Sequence, residues 1–152
     1  MSLTRLDMVD VGEKGITARE AVAKGQVLFS PGTIRMIREG RIPKGDVLGS
    51  ARVAGILAAK KTPQLIPMCH PLSLTQAKVD FEVGKNSIEI TSHIKAKDRT
   101  GVEMEALTAV VVAALTIYDM CKGVQEGISI SNIRLVMKKG GRSGTKGKVD
   151  ER

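Results

Sequence analysis

A strict two-residue alternation of apolar and charged positions is the clearest pattern in the chain. It runs through residues 77–83 and, after the short turn 84–87, resumes at the isoleucines of 88–94. Successive side chains of a β-strand point to opposite faces, so this period is typical of a half-buried strand. The pattern therefore predicts a β-hairpin with one buried face.

Two further strands flank this hairpin in the sequence. Apolar alternation over residues 16–29 predicts an early strand, and residues 128–137 predict a last one. In the last segment the alternation slips by one position near Asn132. One extra residue on one strand predicts a β-bulge at that point.

Between the early strand and the hairpin, helix start and stop residues predict two helices. Ser30 and Pro31 are an N-cap and a first-turn proline for a short helix that Gly40 ends. Asp46 caps a second helix that is expected to run through Lys61. A Thr-Pro step then stops it, because the residue before proline is pushed out of the helical region.

Charges stand at both ends of a long apolar segment that predicts a helix from about Gly101 to Lys122. Glu103 and Glu105 lie at its start, and Asp119 lies beside Lys122 in its last turn. At a rise of about 1.5 Å per residue, Glu105 is about 25 Å from Lys122. One small ligand cannot bridge that gap within a single chain. Either the two ends serve different purposes or they combine between chains, and the second alternative predicts an oligomer.

The order of these elements predicts an α+β fold with helices covering one face of an antiparallel sheet. A ferredoxin-like arrangement fits that order. A length of 152 residues predicts a single domain spanning 1–152. Its ends, at about 1–8 and 140–152, are expected to be flexible. An alternative interpretation is that the glycines beside Lys138, Lys139 and Arg142 close over a phosphate group.

The charge balance narrows the class of ligand. A net charge of +8 and a pI of about 9.7 favour partners that carry phosphate, including nucleotides and nucleic acids. The only aromatic residues are Phe29, Phe81 and Tyr118. The ring surfaces on which single-stranded bases stack are therefore nearly absent. A small phosphorylated ligand is favoured over RNA.

The start of the chain and its cysteines bear on location. Residues 1–10 lack the features of a secretory signal, and no apolar run approaches membrane-spanning length. A cytoplasmic location without a membrane partner is therefore expected. Cys69 and Cys121 should then be reduced thiols, and neither has the paired spacing of a structural zinc site.

Two short segments carry candidate ligand groups. Lys44 stands just before a helix start, where an anion would meet its ammonium and free backbone amides, although a merely solvated lysine fits the same position. Cys69 and His70 lie in a loop stiffened by a proline on each side. His70 is a candidate for hydrogen bonding or proton transfer. Cys69 is interpreted as a small packing residue unless a neighbour lowers its pKa.

The charged ends of the long helix allow more than one interpretation. Glu103 and Glu105 lie about 200° apart around the helix, so they do not form an acid pair. Negative charge near a helix N-terminus accounts for one of them. Asp119 and Lys122 are neighbours on one face, as a surface ion pair or as a mutually tuned acid–base couple. Residues 109–115 are apolar almost all round, so an enclosed helix is expected, which favours the couple.

Five segments, taken together, closely resemble a known family. In chain order they are MVDV (8–11), KGDV (44–47), IPMCHPL (66–72), TGVEMEALT (100–108) and ALTIYDMCK (114–122). The family is that of the MoaC-type cyclic pyranopterin monophosphate synthases of molybdenum cofactor biosynthesis. The likeness extends from about Met8 to Gly144.

The resemblance implies a lyase that acts on a cyclised dihydroguanosine triphosphate. Such an enzyme rearranges base and sugar into cyclic pyranopterin monophosphate and releases pyrophosphate. No organic cofactor is expected, and no residue is singled out as a metal ligand. The family's fold is ferredoxin-like. Its assembly is a homohexamer, a trimer of dimers, with active sites at subunit interfaces. The implied partner is a small nucleotide-derived molecule rather than nucleic acid or a membrane.

Residue roles are also implied by the resemblance. Asp119 resembles the family's catalytic acid or base, and Lys44 and Lys122 resemble its essential lysines. The positions that match substrate-contacting or pocket residues are Met68, Cys69, His70, Met104, Glu105, Glu103, Arg19, Asp10 and Lys138. A hypothesis from another class is a nucleic-acid-binding module on the same ferredoxin-like fold. Its missing feature is a pair of exposed aromatic residues on the central strands.

Overall fold

The computed structural model describes residues 5–141 of the chain. Its elements are β1 (Thr17–Leu28), α1 (Pro31–Arg38), α2 (Val47–Lys60), α3 (Thr62–Leu65), β2 (Leu74–Val83), β3 (Ser87–Asp98), α4 (Glu103–Cys121) and β4 (Ser129–Lys139). The predicted strands, hairpin and long helix are all present, within a few residues of their expected ends. Residues 1–4 and the tail from Arg142 onward lie outside the described residues, so the prediction of flexible ends stays a prediction.

The described strands form one antiparallel sheet in the order β2-β3-β1-β4. Each crossover skips one strand: β3 lies between β1 and β2, and β1 lies between β3 and β4. This interleaved order is that of a ferredoxin-like fold. Helices α2 and α4 pack together on one face of the sheet. The α+β, ferredoxin-like prediction is confirmed.

The inner face of the sheet is apolar, as the alternation predicts. Ile88, Ile90 and Ile94 of β3 are fully buried, whereas Lys95 and Lys97 face outward. Burying one such isoleucine stabilises the fold by about 1.5–3 kcal/mol. The hairpin therefore contributes one layer of the core.

Close packing of the two large helices depends on small residues. Gly55 of α2 lies against α4, where a Cβ atom would be 3.0 Å from the main-chain oxygen of Ala109 and 3.3 Å from the Cβ of Ala113. Both alanines are fully buried. The helices approach as closely as glycine and alanine allow, which fixes where the two ends of α4 lie relative to the sheet.

Local capping follows the sequence, with one addition. The side chains of Ser30 and Asp46 each accept a hydrogen bond from the amide three residues on, at 3.4 and 3.0 Å. The predicted stop is confirmed, since α2 ends at Lys60 with Lys61 as its C-cap, but the short helix that follows was not predicted. Thr62 begins the short helix α3, and its hydroxyl donates to the carbonyl of Ala58 (2.9 Å).

The predicted bulge in the last strand is confirmed. Asn132 has a positive φ of 56°, and the β1–β4 register shifts between Lys24 and Gln26. Asparagine tolerates this left-handed conformation better than most residues. Beyond the bulge, β4 runs beside the first half of β1 and places Lys138 opposite Ala21.

One face of the helical layer is uncovered in the single chain. Leu115 of α4 and Val53 of α2 are 54% and 59% exposed, and Leu57 and Tyr118 are also exposed. The prediction of an enclosed α4 is correct for its sheet side and wrong for this side. We call these four residues the apolar helix face.

The apolar character of α4 belongs to the core. Its length and its mean hydropathy of 1.6 match those of a membrane span, so the expectation that no apolar run approaches that length is wrong. Half of this segment is buried within the fold. The buried side packs against β1, β3 and α2. These are the properties of a central helix in a globular domain.

The open face of the sheet carries none of the three aromatic residues. Phe29 is buried, and Tyr118 lies on α4. Phe81 faces α2, with the guanidinium carbon of Arg52 5.4 Å from its ring centre. The stacking platform required by the nucleic-acid hypothesis is therefore missing from the sheet.

Candidate active site

Lys44, Asp119 and Lys122 meet at the C-terminal end of α4. The Nζ of Lys44 donates to the main-chain oxygen of Asp119 (3.0 Å) and to its Oδ2 (3.1 Å). The Nζ of Lys122 lies 3.3 Å from Oδ1. Each carboxylate oxygen of Asp119 is thus held by an ammonium group. We call these three residues the lysine–aspartate cluster.

Local structure places both lysines. Lys122 is the C-cap of α4, and its amide donates to the carbonyl of Tyr118 (2.9 Å). Lys44 lies between α1 and α2, in a turn closed by a hydrogen bond from the Gly45 amide to the carbonyl of buried Ile42 (3.0 Å). Gly45 has a φ of 111°, which favours glycine. Lys44 also provides a donor for a carbonyl at the negative end of the α4 dipole.

The two ammonium groups lower the pKa of Asp119. The hydrogen bond from Lys44 is the largest cause, followed by the hydrogen bond from Lys122. The Asp119 side chain is 58% exposed, and desolvation is only a smaller, opposing cause that raises its pKa. Proximity of the two ammonium groups, rather than burial, therefore sets the direction of the shift in the single chain. The result is a carboxylate flanked by two proton-bearing cations, which can act as an acid–base set.

Glu105 is a buried carboxyl at the opposite end of α4. It is 1% exposed; its Oε1 accepts a weak hydrogen bond from the Cys69 thiol (3.6 Å), and its Oε2 has no hydrogen-bond partner among the described residues. Burial raises the pKa of Glu105. Burial, followed by the charge of Glu105, raises the pKa of Cys69 to about 11. The thiol is therefore protonated near neutral pH, which supports a packing role over a nucleophilic one.

The His70 loop contacts the N-terminal segment. The Nε2 of His70 is hydrogen-bonded to the main-chain oxygen of Val9. Next to Val9, the Asp10 carboxylate accepts a hydrogen bond from the amide two residues on (2.8 Å). Met68 and Met104 expose part of their side chains at the loop and at the start of α4. The predicted residues from 10, 68–70 and 104–105 thus lie around one end of the helix.

A cavity of about 480 Å³ opens beside the start of α4 and the end of β4. Arg19, Glu103 and Lys138, all predicted site residues, contribute to its lining. Arg19 donates to the main-chain oxygens of Asp98 (3.3 Å) and Arg99 (3.2 Å). Lys138 is paired with Glu103 (3.6 Å). The guanidinium and ammonium groups make this cavity suitable for phosphate oxygens.

The cavity lining also contains residues that sequence reasoning missed. Glu13 and Lys14 line it, and nothing in their local pattern distinguished them from a solvated N-terminal segment. Gly140 and Gly141 line it too, with φ values of 108° and 74°. A Cβ on Gly140 would lie 2.1 Å from the main-chain oxygen of Ala18. For these two glycines the basic, glycine-rich end of β4 was the available indication, and closure of the tail over a phosphate group stays a prediction.

The predicted site residues fall into two groups that a single chain does not join. The lysine–aspartate cluster lies at the C-terminal end of α4, whereas Glu105, the His70 loop and the cavity lie around its N-terminal end. The helix rise keeps these groups about 25 Å apart. Over residues 5–141, no three His, Cys, Asp or Glu side chains are grouped so as to hold a metal ion.

Fold and site together define a ferredoxin-like protein with an acid–base cluster and a separate cation-lined cavity. These features are typical of an enzyme that acts on phosphorylated small molecules. Residues 8–141 match the MoaC family. The chain belongs to the MoaC family.

Several curated relatives carry one name, cyclic pyranopterin monophosphate synthase. The relative from Chloroflexus aurantiacus is 56% identical over 150 residues, covering 93% of this chain and 92% of the relative. That from Thermomicrobium roseum is 54% identical and covers 98% and 95%. That from Heliobacterium modesticaldum is 58% identical and covers 90% and 87%. The family resemblance inferred from the five segments is confirmed.

Proposed function

We propose that this chain is a cyclic pyranopterin monophosphate synthase of molybdenum cofactor biosynthesis. It converts a cyclised dihydroguanosine triphosphate to cyclic pyranopterin monophosphate and releases pyrophosphate, which makes it a lyase. Family membership and relatives at 54–58% identity support the assignment. The structural observation that best supports the assignment is the contact of the Lys44 and Lys122 ammonium groups with the Asp119 carboxylate.

The lysine–aspartate cluster performs the proton transfers of the rearrangement. Asp119 accepts a proton from the substrate, and the ammonium of Lys122 donates one as the ring opens. Lys44 fixes the carboxylate and stabilises negative charge that develops beside it. The scheme uses acid–base and electrostatic groups of the chain and no organic cofactor.

The cavity beside the start of α4 receives the triphosphate. Closing the cyclic phosphate forms a bond from a substrate hydroxyl oxygen to the α-phosphorus and breaks the bond to the β-phosphate. Pyrophosphate leaves with the electron pair, and the hydroxyl proton passes to a base. Arg19 and Lys138 stabilise the departing charge, as cations do in other phosphoryl transfers.

The complete active site forms between subunits of a homohexamer built as a trimer of dimers. The end of α4 from one subunit meets the His70 loop and cavity of another. The separation of about 25 Å between the two groups supports this arrangement. The apolar helix face supports it as well, because Tyr118 of that face directly precedes Asp119 and exposed apolar patches mark contact surfaces. The reaction belongs to the cytoplasm, where the free Cys69 and Cys121 stay reduced.

Turnover of the defined substrate tests the proposal. Purified protein supplied with the cyclised dihydroguanosine triphosphate should release pyrophosphate and form the pterin product in equal amounts. Pyrophosphate is measured by a coupled assay and the pterin by its fluorescence after oxidation. A folded, assembled protein that leaves this substrate unchanged would refute the assignment.

A further inference from the structure

We propose that Glu103 is a built-in counter-anion of the phosphate cavity. It neutralises Lys138 while the cavity is empty, competes with phosphate oxygens for that lysine, and so limits how tightly the pyrophosphate product is held. This inference rests on the proposed function, because it concerns the release of that reaction's product.

The contact between the two side chains is the first support. Oε1 of Glu103 lies 3.6 Å from Nζ of Lys138, and both residues line the cavity. Their side chains are 32% and 34% exposed, so an incoming anion can reach the pair. A part-exposed ion pair of this kind is weak enough to be exchanged for a charged ligand.

Gly101 accommodates the position of the carboxylate. A Cβ atom at Gly101 would lie 2.3 Å from Oε1 of Glu103, so a larger residue there would displace the group. With glycine at 101, the Glu103 side chain folds back over the start of α4 toward β4. Glycine at this position thus leaves room for the carboxylate beside Lys138.

Arg19, a second cation of the cavity, is engaged differently. The guanidinium of Arg19 already donates to two main-chain oxygens at the end of β3. The acids of the lining are Glu13 and Glu103, and the described ion pairs include Glu103 but not Glu13. Glu103 is therefore the acid that reduces the cavity's attraction for phosphate at a specific cation.

Charge arithmetic gives the direction of the effect. The described lining holds four cations, Lys14, Arg19, Lys138 and Lys139, and the two acids, for a net charge of +2. Neutralising Glu103 would make it +3 and would also free Lys138. A phosphate ligand should then bind more tightly and leave more slowly, because most affinity changes at one site appear in the dissociation rate.

Calorimetric titration of the assembled protein with pyrophosphate tests this without turnover. Glu103→Gln should bind pyrophosphate roughly two- to fivefold more tightly than the wild type, the range expected from releasing a part-exposed ion pair. Glu13→Gln is the matched control, with the same change of charge in the same lining, and its gain should be clearly smaller. Equal gains in both variants would overturn the specific role of Glu103.

A second background isolates the lysine. In a Lys138→Ala protein, the additional Glu103→Gln change should no longer tighten binding, because the cation that Glu103 occupies is absent. An undiminished gain in this background would also overturn the proposal. If the wild type and all variants fail to bind pyrophosphate, the cavity is not its site and the inference fails.

Kinetics separate this inference from the proposed function. Glu103→Gln should lower the inhibition constant for added pyrophosphate by the same factor that calorimetry measures. If the wild-type protein turns over the substrate but Glu103→Gln shows unchanged inhibition by pyrophosphate, the counter-anion role is rejected and the proposed activity stands. If Glu103→Gln binds pyrophosphate more tightly but the wild-type protein does not turn over the substrate, the counter-anion role stands and the proposed activity is rejected.

Discussion

Lys44 holds Asp119 at two points, through the carboxylate (3.1 Å) and through the main-chain oxygen of the same residue (3.0 Å). The main-chain contact caps the C-terminal end of α4, and the side-chain contact lowers the pKa of the carboxyl. One lysine therefore ties the α1–α2 connection to the last turn of the central helix. Lys44 therefore both positions the proposed base, Asp119, and favours its ionised form.

Replacing Asp119 by asparagine keeps the shape of the side chain and removes the base. We expect Asp119→Asn to lower kcat by about 10²- to 10⁴-fold, the usual contribution of a positioned acid or base. Thermal unfolding should change little, because the carboxyl is exposed. Asp80→Asn, which removes an exposed acid paired with Lys78 on β2, is the control and should turn over normally. Near-normal kcat in Asp119→Asn would contradict the assignment.

The two lysines should affect the titration of Asp119 unequally. The hydrogen bond from Lys44 is the larger cause of the lowered pKa, so Lys44→Ala should raise that pKa toward 3.8 more than Lys122→Ala does. Carboxyl carbon chemical shifts, followed by NMR between about pH 2 and 6, measure both variants against the wild type. A larger increase of this pKa in Lys122→Ala than in Lys44→Ala would show that Lys122 is the main cause of the lowered pKa.

Thiol reactivity reports on the buried pair at the other end of α4. Alkylation of Cys69, followed by mass spectrometry, should rise with a midpoint near pH 11, because only the thiolate reacts. Glu105→Gln should lower this midpoint by removing a negative charge, yet keep it above 9.0, because burial is the larger cause. A midpoint unmoved by Glu105→Gln would show that the carboxyl does not act on the thiol.

The Cys69 thiol also makes the folding stability depend on pH. The pKa of Cys69 is raised from 9.0 to about 11 in the folded state, so folding favours the protonated thiol. Its contribution is fully present below pH 9.0 and is lost as pH rises toward 11. Buried Cys121, with the same direction and size of shift, adds to the loss. Urea unfolding of Cys69→Ser should therefore show a shallower decline over this range than the wild type.

The close contact of α2 with α4 should not accept a larger residue. Gly55→Val would press its side chain against the main-chain oxygen of Ala109 and should lower the free energy of unfolding by about 1–3 kcal/mol. Gly15→Val is the control, since a Cβ there meets nothing within 4 Å. Urea titrations measure both. An unaffected Gly55→Val protein would mean that the helices separate more easily than their packing indicates.

Mixing two inactive variants tests the site shared between subunits. Asp119→Asn disables one end of α4, and His70→Ala disables the loop near the other end. If each active site takes Asp119 from one subunit and His70 from another, mixed dimers contain one intact site. Dissociated and reassembled mixtures should then regain roughly a quarter of wild-type activity. No recovery, with mixed assembly verified by tagged subunits, would place both residues in one subunit's site.

Local chemistry explains which parts of the fold were predictable. The caps at Ser30 and Asp46 and the alternation along the hairpin act within a few residues, so the sequence shows them directly. The stop of α2 before the Thr-Pro step is also visible in the sequence. The four-residue helix α3 that begins at Thr62 is not, because no periodic pattern can be read from so short a segment.

The local pairing of Asp119 with Lys122 could be predicted from their spacing, whereas contacts between distant segments could not. Lys44 and Asp119 lie 75 positions apart, and only the close packing of α2 on α4 brings them together. Cys69 was expected to pack, yet its hydrogen bond to Glu105 depends on where the loop meets the helix start. Glu13 and Lys14 gave no local indication, because the cavity they line forms from separate elements.

The lone Oε2 of Glu105 has a consequence for anyone who engineers this protein. A sealed carboxyl oxygen without a donor among its described neighbours costs about 1–3 kcal/mol of folding free energy. Selection for heat resistance alone would therefore favour an aliphatic side chain of similar volume at 105. Because the family resemblance implies a substrate contact for Glu105, libraries aimed at thermostability should leave this position fixed.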